Sequence, residues 1–327
     1  MSIIEVSVVI PTKNRCSSLK KTLDCLLNQT FPADKYEIIV CDDNSSDDTE
    51  KIVNTLVQQT TRNLKYTKVI SNIEGPAKVR NHGIDISSGS IIGFTDDDCL
   101  LSNNWIETAV SCFKKYPHIC GVYGTVRTFG DCKSKKYTIP RRVDVFEDNG
   151  SYVTPNVFYK KDVLLKVGKF DLDMRYMQDI ELGWKVKEKG IIHFESALFV
   201  KHQVHCSSVK DYFKRQKRYK YWVLMYHKHP SKLKEDSLIL GHIYNKSVFL
   251  VISLCLALIT AFFSNLALMI MSLVSIVLYM WAHVFVDCDI KKYPSRILFF
   301  PRFLIADFIR FIISLKASIK YRILVLF

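Results

Sequence analysis

The chain has 327 residues, of which 48% are hydrophobic, and it carries a formal net charge of +14. This length favours one large domain with an appendage, or two domains, and the hydrophobic content excludes a disordered chain. The charge is unevenly spread, because residues 201–246 hold eleven Lys and Arg against three Asp and Glu, and residues 287–327 hold eight against three. Residues 1–200 are left with a formal charge of +1. We therefore expect no nucleic-acid partner for that part.

Strand-like and helix-like segments alternate through the first 116 residues. Strands are predicted at 6–10, 37–43, 64–70 and 91–97, and helices at 17–29, 47–59, 76–87 and 103–116. In the first helix Leu19, Leu23 and Leu26 recur at helical spacing, and Ser45 or Ser46 can cap the second. Four such units predict an open α/β fold with a mainly parallel sheet and helices on both faces. Ligands of such sheets bind at the carboxyl ends of the strands.

Polar clusters follow three of the predicted strands. PTKNR (11–15) follows the first, DDNSSDD (42–48) the second and TDDD (95–98) the fourth. Neighbouring carboxylates about 4 Å apart repel by about 1 kcal/mol in water and by about 4 near a protein surface, so solvent or a cation must offset the repulsion. Either acidic cluster alone could be a turn or a solvated loop. Two at one sheet edge favour a divalent cation, since Mg²⁺ and Mn²⁺ prefer carboxylate and phosphate oxygens.

The segment GPAKVRNHG (75–83) begins the third predicted helix. Helix N-termini attract phosphate, and Lys78, Arg80 and Asn81 could then reach a diphosphate. The segment matches neither GxGxxG nor GxxxxGK[ST], so it is neither a dinucleotide-binding fingerprint nor a Walker loop. Lysine and arginine on a surface helix are also compatible with simple solvation.

Taken in order, VSVVIPTKNR, EIIVCDDNSSDDT, GPAKVRNHGI and IIGFTDDDC resemble the family 2 glycosyltransferases, inverting enzymes of the GT-A fold. VGKFDLDMRYMQDIELGWKVKEKG (167–190) is similar to the acceptor-side segment of that family, and the resemblance covers roughly residues 3–230. It implies a Rossmann-like GT-A domain that binds a nucleotide-sugar, by default a UDP-sugar, with Mn²⁺ or Mg²⁺ as cofactor.

The resemblance also implies which residues form the site. Asp43 would contact the uracil, and the backbone of Pro11 and Thr12 would line the nucleotide. The predicted nucleotide-sugar set is Pro11, Thr12, Asn14, Arg15, Asp42, Asp43, Lys78, Arg80, Asn81, Asp96 and Asp97, and the predicted metal set is Asp96, Asp98 and His202. His202 could instead be a simple hydrogen-bonded histidine.

Asp179 is the catalytic base that the resemblance implies. It follows Gln178, where the family has Glu, so the acceptor contact that this Glu would make is in question. A carboxylate there would remove the acceptor proton while the cation stabilises the departing diphosphate. The alternative interpretation of Asp179 is a favourable charge at a helix N-terminus.

The C-terminal third contains a long uncharged run. Residues 247–286 have no Asp, Glu, Lys or Arg and are long enough for two membrane spans, although a buried helical hairpin is an alternative. Lysines on both flanks place the first domain on the cytoplasmic side. We expect a glycosyltransferase domain at 1–245, a transmembrane helical hairpin at 246–286 and a basic amphipathic interfacial tail at 287–327, interrupted at Pro301.

Two observations bear on the compartment. The N-terminus has no basic leader before its short apolar run, which disfavours a secretory signal. The ten cysteines form no CxxC pair, which favours free thiols in a reducing compartment over a zinc site or a disulfide framework.

The sequence therefore predicts a multi-pass cell-membrane enzyme with a cytoplasmic catalytic domain. Its partners would be a nucleotide-sugar donor, membrane lipids and a glycan or lipid-linked acceptor, in the synthesis of cell-surface polysaccharide or glycoconjugate. The alternatives are transfer to polyprenyl phosphate, a catalytically silent membrane scaffold of the same fold, and a nucleotidyltransferase.

Overall fold

The structure is a computed structural model that describes residues 3–70, 75–132, 139–232 and 300–325, with isolated positions between 259 and 277. The chain divides into two compact units, Met1–Ser207 and Ser208–Phe327. The predicted domain boundary at 245/246 lies outside the described residues.

The first unit begins with the predicted strand–helix repeats. Its strands are β1 (Val6–Thr12), β2 (Tyr36–Asp42), β3 (Asn63–Lys68) and β4 (Ile91–Phe94), and its helices are α1 (Cys16–Leu27), α2 (Thr49–Gln59), α3 (Pro76–Ile86) and α4 (Trp105–Lys115). The strands lie in the order β3-β2-β1-β4 and all pair in parallel. The predicted parallel sheet is confirmed for this half.

The second half of the sheet is mixed. It adds β5 (Cys99–Leu101), β6 (Gly121–Phe129), β8 (Val157–Lys160) and β9 (Ile192–Gln203), giving eight strands in the order β3-β2-β1-β4-β8-β6-β9-β5. β8 is antiparallel to both β4 and β6, β9 is parallel to β6, and β5 is antiparallel to β9. A separate antiparallel pair joins β7 (Ile139–Arg141) to β10 (His205–Ser207). Helices α5 (Lys161–Lys166) and α6 (Gln178–Lys187) follow β8.

The central strand β1 is buried because helices cover both of its faces. Val8 and Ile10 point to one face and belong to the core cluster that contains α1 and α4 residues. Val9 points to the other face, where Gly83 of α3 comes so close that a Cβ on it would lie 2.4 Å from Val9 Cγ1. The close approach of α3 therefore needs glycine at position 83.

The cap that the sequence predicts for α2 is wrong. The helix begins at Thr49 with Asp48 as its N-cap, whose side chain makes no capping hydrogen bond, and Asp47 Oδ1 accepts the Thr49 N–H at 3.1 Å. Ser45 instead donates its hydroxyl to Asp42 Oδ1 at 2.6 Å, because the loop after β2 folds back onto the strand end.

A disulfide joins Cys132 to Cys206, 74 residues apart. The expectation of free thiols is therefore wrong for this pair, which ties β10 to the segment after β6. Sequence spacing could not reveal it because only the tertiary fold brings the two cysteines together. The free cysteines among the described residues are Cys16, Cys25, Cys41, Cys99, Cys112 and Cys120.

In the second unit, helices α7 (Val209–Arg215), α8 (Tyr219–Lys228) and α9 (Phe300–Tyr321) are described. α9 packs along α8, and Arg310 of α9 donates to Gln216 Oε1 at 2.7 Å. The predicted interruption at Pro301 stays a prediction, because α9 is described only from Phe300 onward.

The predicted helical hairpin at 246–286 lies outside the described residues, except for isolated positions. Within the ranges that the structure describes, no helix is both long enough and apolar enough to span a bilayer.

Candidate active site

The polar clusters converge on one edge of the sheet, as the sequence predicts. Thr12 at the end of β1 donates its hydroxyl to Asp97 Oδ2 at 2.8 Å, and its carbonyl accepts the backbone N–H of Asp43 at 2.8 Å. These two bonds join the loops that follow β1, β2 and β4. The edge is therefore built from three parallel strand ends.

Asp98 is a buried carboxylate of this edge, with a residue exposure of 5%. Its Oδ2 contacts Arg15 Nη1 at 2.7 Å and His205 Nε2 at 2.6 Å. Its Oδ1 lies 3.3 Å from His202 Nε2 and has no hydrogen-bond partner. Burial opposes ionisation of Asp98, but the hydrogen bond from His205 and the charges of His202 and Arg15 outweigh it and lower the pKa. Asp98 is therefore ionised at neutral pH.

Asp97 is held in a different way. It accepts from Thr12 and, at 3.0 Å, from Arg15 Nη1. Burial raises the pKa of Asp97 to about 6, since it outweighs the attraction of Arg15 and is reinforced by repulsion from Asp98. Both carboxylate oxygens of Asp97 accept hydrogen bonds from the protein, so this residue stabilises the loop at the sheet edge.

Asp96 is half-buried and faces the α3 side. Its Oδ1 accepts from Arg80 Nη2 at 2.7 Å, and its Oδ2 lies 3.9 Å from His202 Nε2. The same Arg80 nitrogen donates to Thr154 Oγ1 at 2.9 Å, and the guanidinium lies over the Phe170 ring at 5.6 Å. Arg80 is therefore fixed on three sides.

The predicted metal set fits a divalent cation. Adjacent ligands of an octahedral ion with bonds near 2.1 Å lie about 3 Å apart. The separations of 3.3 Å and 3.9 Å from His202 Nε2 to Asp98 Oδ1 and Asp96 Oδ2 approach this value, and the unpartnered Asp98 Oδ1 is an oxygen that a cation would satisfy. Cys99 also lies within ligand range of Asp98 and His202. Burial raises the pKa of the Cys99 thiol well above its usual value, which disfavours it as a ligand for a hard cation.

The acidic pair after β2 divides into a structural and an accessible residue. Asp42 is fully buried, and it accepts from Ser45 and, at 2.7 Å, from the Tyr66 hydroxyl. Asp43 is half-buried, with 18% of its side chain exposed, and pairs with the exposed Lys13 Nζ at 3.0 Å. Of the two, only Asp43 can contact a nucleotide without losing a buried hydrogen bond.

Two of the remaining predicted ligands help to build the loops. Asn14 has a positive φ of 53°, and its Oδ1 accepts the backbone N–H of Ser46 at 2.7 Å. Asn81 exchanges two hydrogen bonds with the main chain of Phe170, at 2.8 and 2.9 Å. Lys78 is half-buried in the first turns of α3, and Pro11 is half-buried near the end of β1. Their contacts to a nucleotide stay predictions.

Asp179 is the second residue of α6, which begins after Met177 in a left-handed conformation with φ 61°. Burial raises the pKa of Asp179, while the charge of Arg80 lowers it and that of Asp96 raises it. The ionisation of Asp179 therefore depends on the charges of the Arg80–Asp96 pair on the donor side. Its neighbour Gln178 is buried, and the Gln178 Oε1 has no hydrogen-bond partner.

Sequence reasoning missed His205, Thr154 and Tyr66, which support Asp98, Arg80 and Asp42. His205 had a signal, since HQVH places two histidines at the strand end that meets TDDD. The other two had none, because serine, threonine and tyrosine partners of buried charges have no fixed spacing.

A cavity of about 390 Å³ opens beside Asp98. It is lined by Arg15, Lys21, Gln203 and His205 among other residues.

Comparison with known proteins gives a consistent family. The sequence model described as "Glycosyl transferase family 2" matches residues 7–201. Glycosyltransferase AglE of Haloferax volcanii is 29% identical over 186 residues, which cover 50% of this chain and 55% of AglE. The GalNAc(5)-diNAcBac-PP-undecaprenol beta-1,3-glucosyltransferase of Campylobacter jejuni is 37% identical over 118 residues, 36% of this chain and 37% of that protein. The chain thus spans about half or less of these curated relatives.

Solved structures of similar fold include Staphylococcus aureus TarS 1-349 in complex with UDP-GlcNAc, with a TM-score of 0.53 and 19% identity, covering 68% of this chain and 67% of that one. The mannosyltransferase PcManGT of Pyrobaculum calidifontis, in complex with GDP-Man and Mn²⁺, gives a TM-score of 0.57 and 14% identity, covering 97% and 87%. At these identities the likeness extends to the fold alone, an α/β sheet of the GT-A type with helices on both faces.

Proposed function

The chain belongs to glycosyl transferase family 2, and from this premise we propose that it transfers a sugar from a nucleotide-sugar to a glycan or lipid-linked acceptor, with inversion at the anomeric carbon. One observation carries the proposal. Asp96, Asp98 and His202 lie together at the carboxyl edge of a parallel sheet, where the buried Asp98 Oδ1 has no hydrogen-bond partner. The charges of this edge also act on Asp179.

The proposed chemistry needs a base on the acceptor side and positive charge on the donor side. Asp179 accepts the proton of the attacking hydroxyl, and its raised pKa suits that exchange better than an exposed carboxylate would. Mn²⁺ or Mg²⁺ held by Asp96, Asp98 and His202 would stabilise the charge on the departing diphosphate. A single attack by the acceptor hydroxyl, opposite the leaving diphosphate, inverts the configuration of the anomeric carbon.

We propose UDP as the nucleotide of the donor. Asp43 supports this choice, because it is the more accessible residue of the Asp42–Asp43 pair at the end of β2 and the one that would contact the uracil ring. The TarS complex with UDP-GlcNAc is consistent with a UDP-sugar, whereas the PcManGT complex contains GDP-Man. GDP is therefore the main competitor in the test below.

We further propose a membrane location, with the catalytic unit on the cytoplasmic face and membrane lipids as partners. The support comes from the uncharged run at 247–286, its basic flanks, and three apolar side chains exposed on α9, Ile305, Phe308 and Ile319. The undecaprenol-linked acceptor in the name of the Campylobacter jejuni relative favours an acceptor at the membrane. Synthesis of a cell-surface polymer is the corresponding pathway class.

The first experiment is a thermal-shift panel on the purified, detergent-solubilised chain, with UDP, GDP and dTDP, each with Mn²⁺ or EDTA. A ligand specific for the native state adds about 2.7 kcal/mol at a hundredfold excess over its Kd. We expect a shift with UDP that EDTA and Asp98→Asn abolish, and that Asp162→Asn, a change to an exposed acid on α5, leaves intact. No shift with any nucleotide at millimolar concentration would refute the donor site.

The second experiment tests the base. Asp179→Asn should keep the nucleotide-dependent shift and lose product formation by about 10²–10⁴-fold, and Glu188→Gln at the exposed end of the same helix should keep both. Products are sought with lipid-linked glycans and with polyprenyl phosphate. Product formed with polyprenyl phosphate alone would favour the alternative acceptor, and release of pyrophosphate would indicate nucleotidyl transfer. Full activity of Asp179→Asn would refute the assignment of Asp179 as the catalytic base.

A further inference from the structure

A second group of possible metal ligands lies far from Asp98. It contains Cys112 on α4 and two residues at the start of β9, His193 and Glu195. His193 and His202 of β9 pair with Val122 and Thr128 of β6, which are six residues apart and therefore separated by roughly 20 Å along that strand. The group is therefore separate from the candidate active site.

Local structure explains why these side chains meet. Residues two apart on a strand point to the same face, so His193 and Glu195 project together from β9. α4 packs against that strand, and Cys112, near its C-terminal end, is buried there with 5% exposure. The two β9 side chains are about 30% exposed, which leaves one side of the group open to water.

The distances already approach those of a tetrahedral zinc site. Glu195 Oε2 lies 3.8 Å from Cys112 Sγ and 3.9 Å from His193 Nε2. Zinc bonds of about 2.3 Å to sulfur and about 2.0–2.2 Å to nitrogen and oxygen place tetrahedral ligands roughly 3.4–3.6 Å apart. The third separation, from Cys112 Sγ to a His193 ring nitrogen, is within 4.8 Å, so the side chains would have to shift to close the site.

We propose that Cys112, His193 and Glu195 bind one Zn²⁺, with water as the fourth ligand. Sulfur, nitrogen and a single carboxylate form a donor set that suits zinc and disfavours Mg²⁺, which prefers oxygen ligands. Binding replaces the thiol proton by the metal and releases that proton to solvent. The ion would cross-link α4 to β9 and stabilise only the native state.

Three features around the group bear on this assignment. Burial and the neighbouring Glu195 raise the pKa of Cys112 to about 11, so without a metal it is an unreactive thiol. Lys115 is exposed, and its charge acts on Glu195 and Cys112 from the solvent side. The Tyr116 ring packs on His193 at 4.8 Å and orients the imidazole.

The test uses Co²⁺ as a spectroscopic substitute on the EDTA-treated, full-length chain, and it requires no enzymatic activity. Thiolate ligation of Co²⁺ gives a near-ultraviolet charge-transfer band. We expect this band to saturate at one equivalent in the wild type and to disappear on addition of Zn²⁺. Cys112→Ser should abolish it, and Glu195→Gln should weaken Co²⁺ binding by tenfold or more.

Two controls separate this site from other thiols and from the active site. Cys25→Ser removes a partly buried thiol of α1, and Asp98→Asn disrupts the ligands around Cys99, so both should keep the band. A band that is missing in the wild type, or that survives in Cys112→Ser, overturns the proposal. If Cys112→Ser does not fold, His193→Ala, at a half-exposed position, decides the matter, because an unchanged band in that variant also overturns it.

Discussion

Arg80 connects the donor side of the site to the proposed base, and its replacement by Met tests that connection. The guanidinium binds Asp96 at 2.7 Å, and its charge lowers the pKa of Asp179 against the effect of burial. Arg80→Met removes this charge, so the pKa of Asp179 rises further. At a given pH a smaller fraction of the base is then ionised, and the acid limb of the rate profile moves to higher pH.

The same change has a cost in stability that follows from the contacts. Breaking a buried ion pair costs about 3–5 kcal/mol when the remaining charge stays buried. The Arg80 side chain is 6% exposed but that of Asp96 is 25% exposed, so water can solvate the freed carboxylate. We therefore expect a loss of about 2–3 kcal/mol for Arg80→Met. Arg80→Lys keeps the charge and should lose about 1 kcal/mol, because the shorter lysine side chain does not place its ammonium where Nη2 lies and loses the planar contact of the guanidinium with Phe170.

The assay is hydrolysis of the donor identified by the thermal-shift panel, with water in place of the acceptor, measured as release of nucleoside diphosphate. The dependence of kcat/KM on pH reports the pKa of the base in the free enzyme. Arg80→Met should shift the acid limb upward, and Arg80→Lys should leave it near the wild-type position. Superimposable acid limbs for the wild type and Arg80→Met would refute the electrostatic link, whereas a uniform drop at every pH would indicate that Arg80 acts only on donor binding.

Three further predictions concern stability. Asn156 is fully buried, and its side-chain amide makes three hydrogen bonds of 2.8–2.9 Å, to β6, β9 and Trp105. Asn156→Ala should therefore lower the free energy of unfolding in urea by about 3–4 kcal/mol, against about 0.5 kcal/mol for Asn28→Ala at an exposed position. Equal losses in the two variants would contradict the hydrogen-bond account. Tyr66→Phe should cost about 1–2 kcal/mol, because it leaves a buried carboxylate of β2 one donor short, and an unchanged unfolding midpoint would argue against that bond. Cys206→Ser should lose about 2–4 kcal/mol by opening a long disulfide loop, and a reductant should then lower the Tm of the wild type but not of the variant.

Part of the site was predictable because it depends on local order along the chain. The loops after β1, β2 and β4 carry their polar residues directly after apolar strands, and parallel strands end at one edge. Thr12, Asp97 and Asp98 meet for that reason alone. His202 was also predicted near the metal, because the family resemblance implies a histidine at this position, and the pairing of β5 with β9 brings it opposite the Asp98–Cys99 segment.

Other features depended on contacts between distant segments. Asp42 and Asp43 are adjacent and chemically identical, yet one is fully buried against Tyr66 and the other is half-buried and pairs with an exposed lysine, and no periodicity distinguishes them. The pairing of Cys132 with Cys206 contradicts the expectation of free thiols because it requires the ends of β6 and β9 to lie side by side.

The sequence by itself determined the alternating strands and helices, the parallel direction of the first four strands and the sheet edge at which the acidic residues lie. These follow from periods of 2 and 3.6 residues and from short connections, which are properties of neighbouring positions. Only the tertiary structure decided the mixed second half of the sheet, the three-sided fixation of Arg80 and the meeting of Cys112 with His193 and Glu195. Those arrangements depend on which surfaces pack together across many tens of residues, and a pattern within one segment does not contain that information.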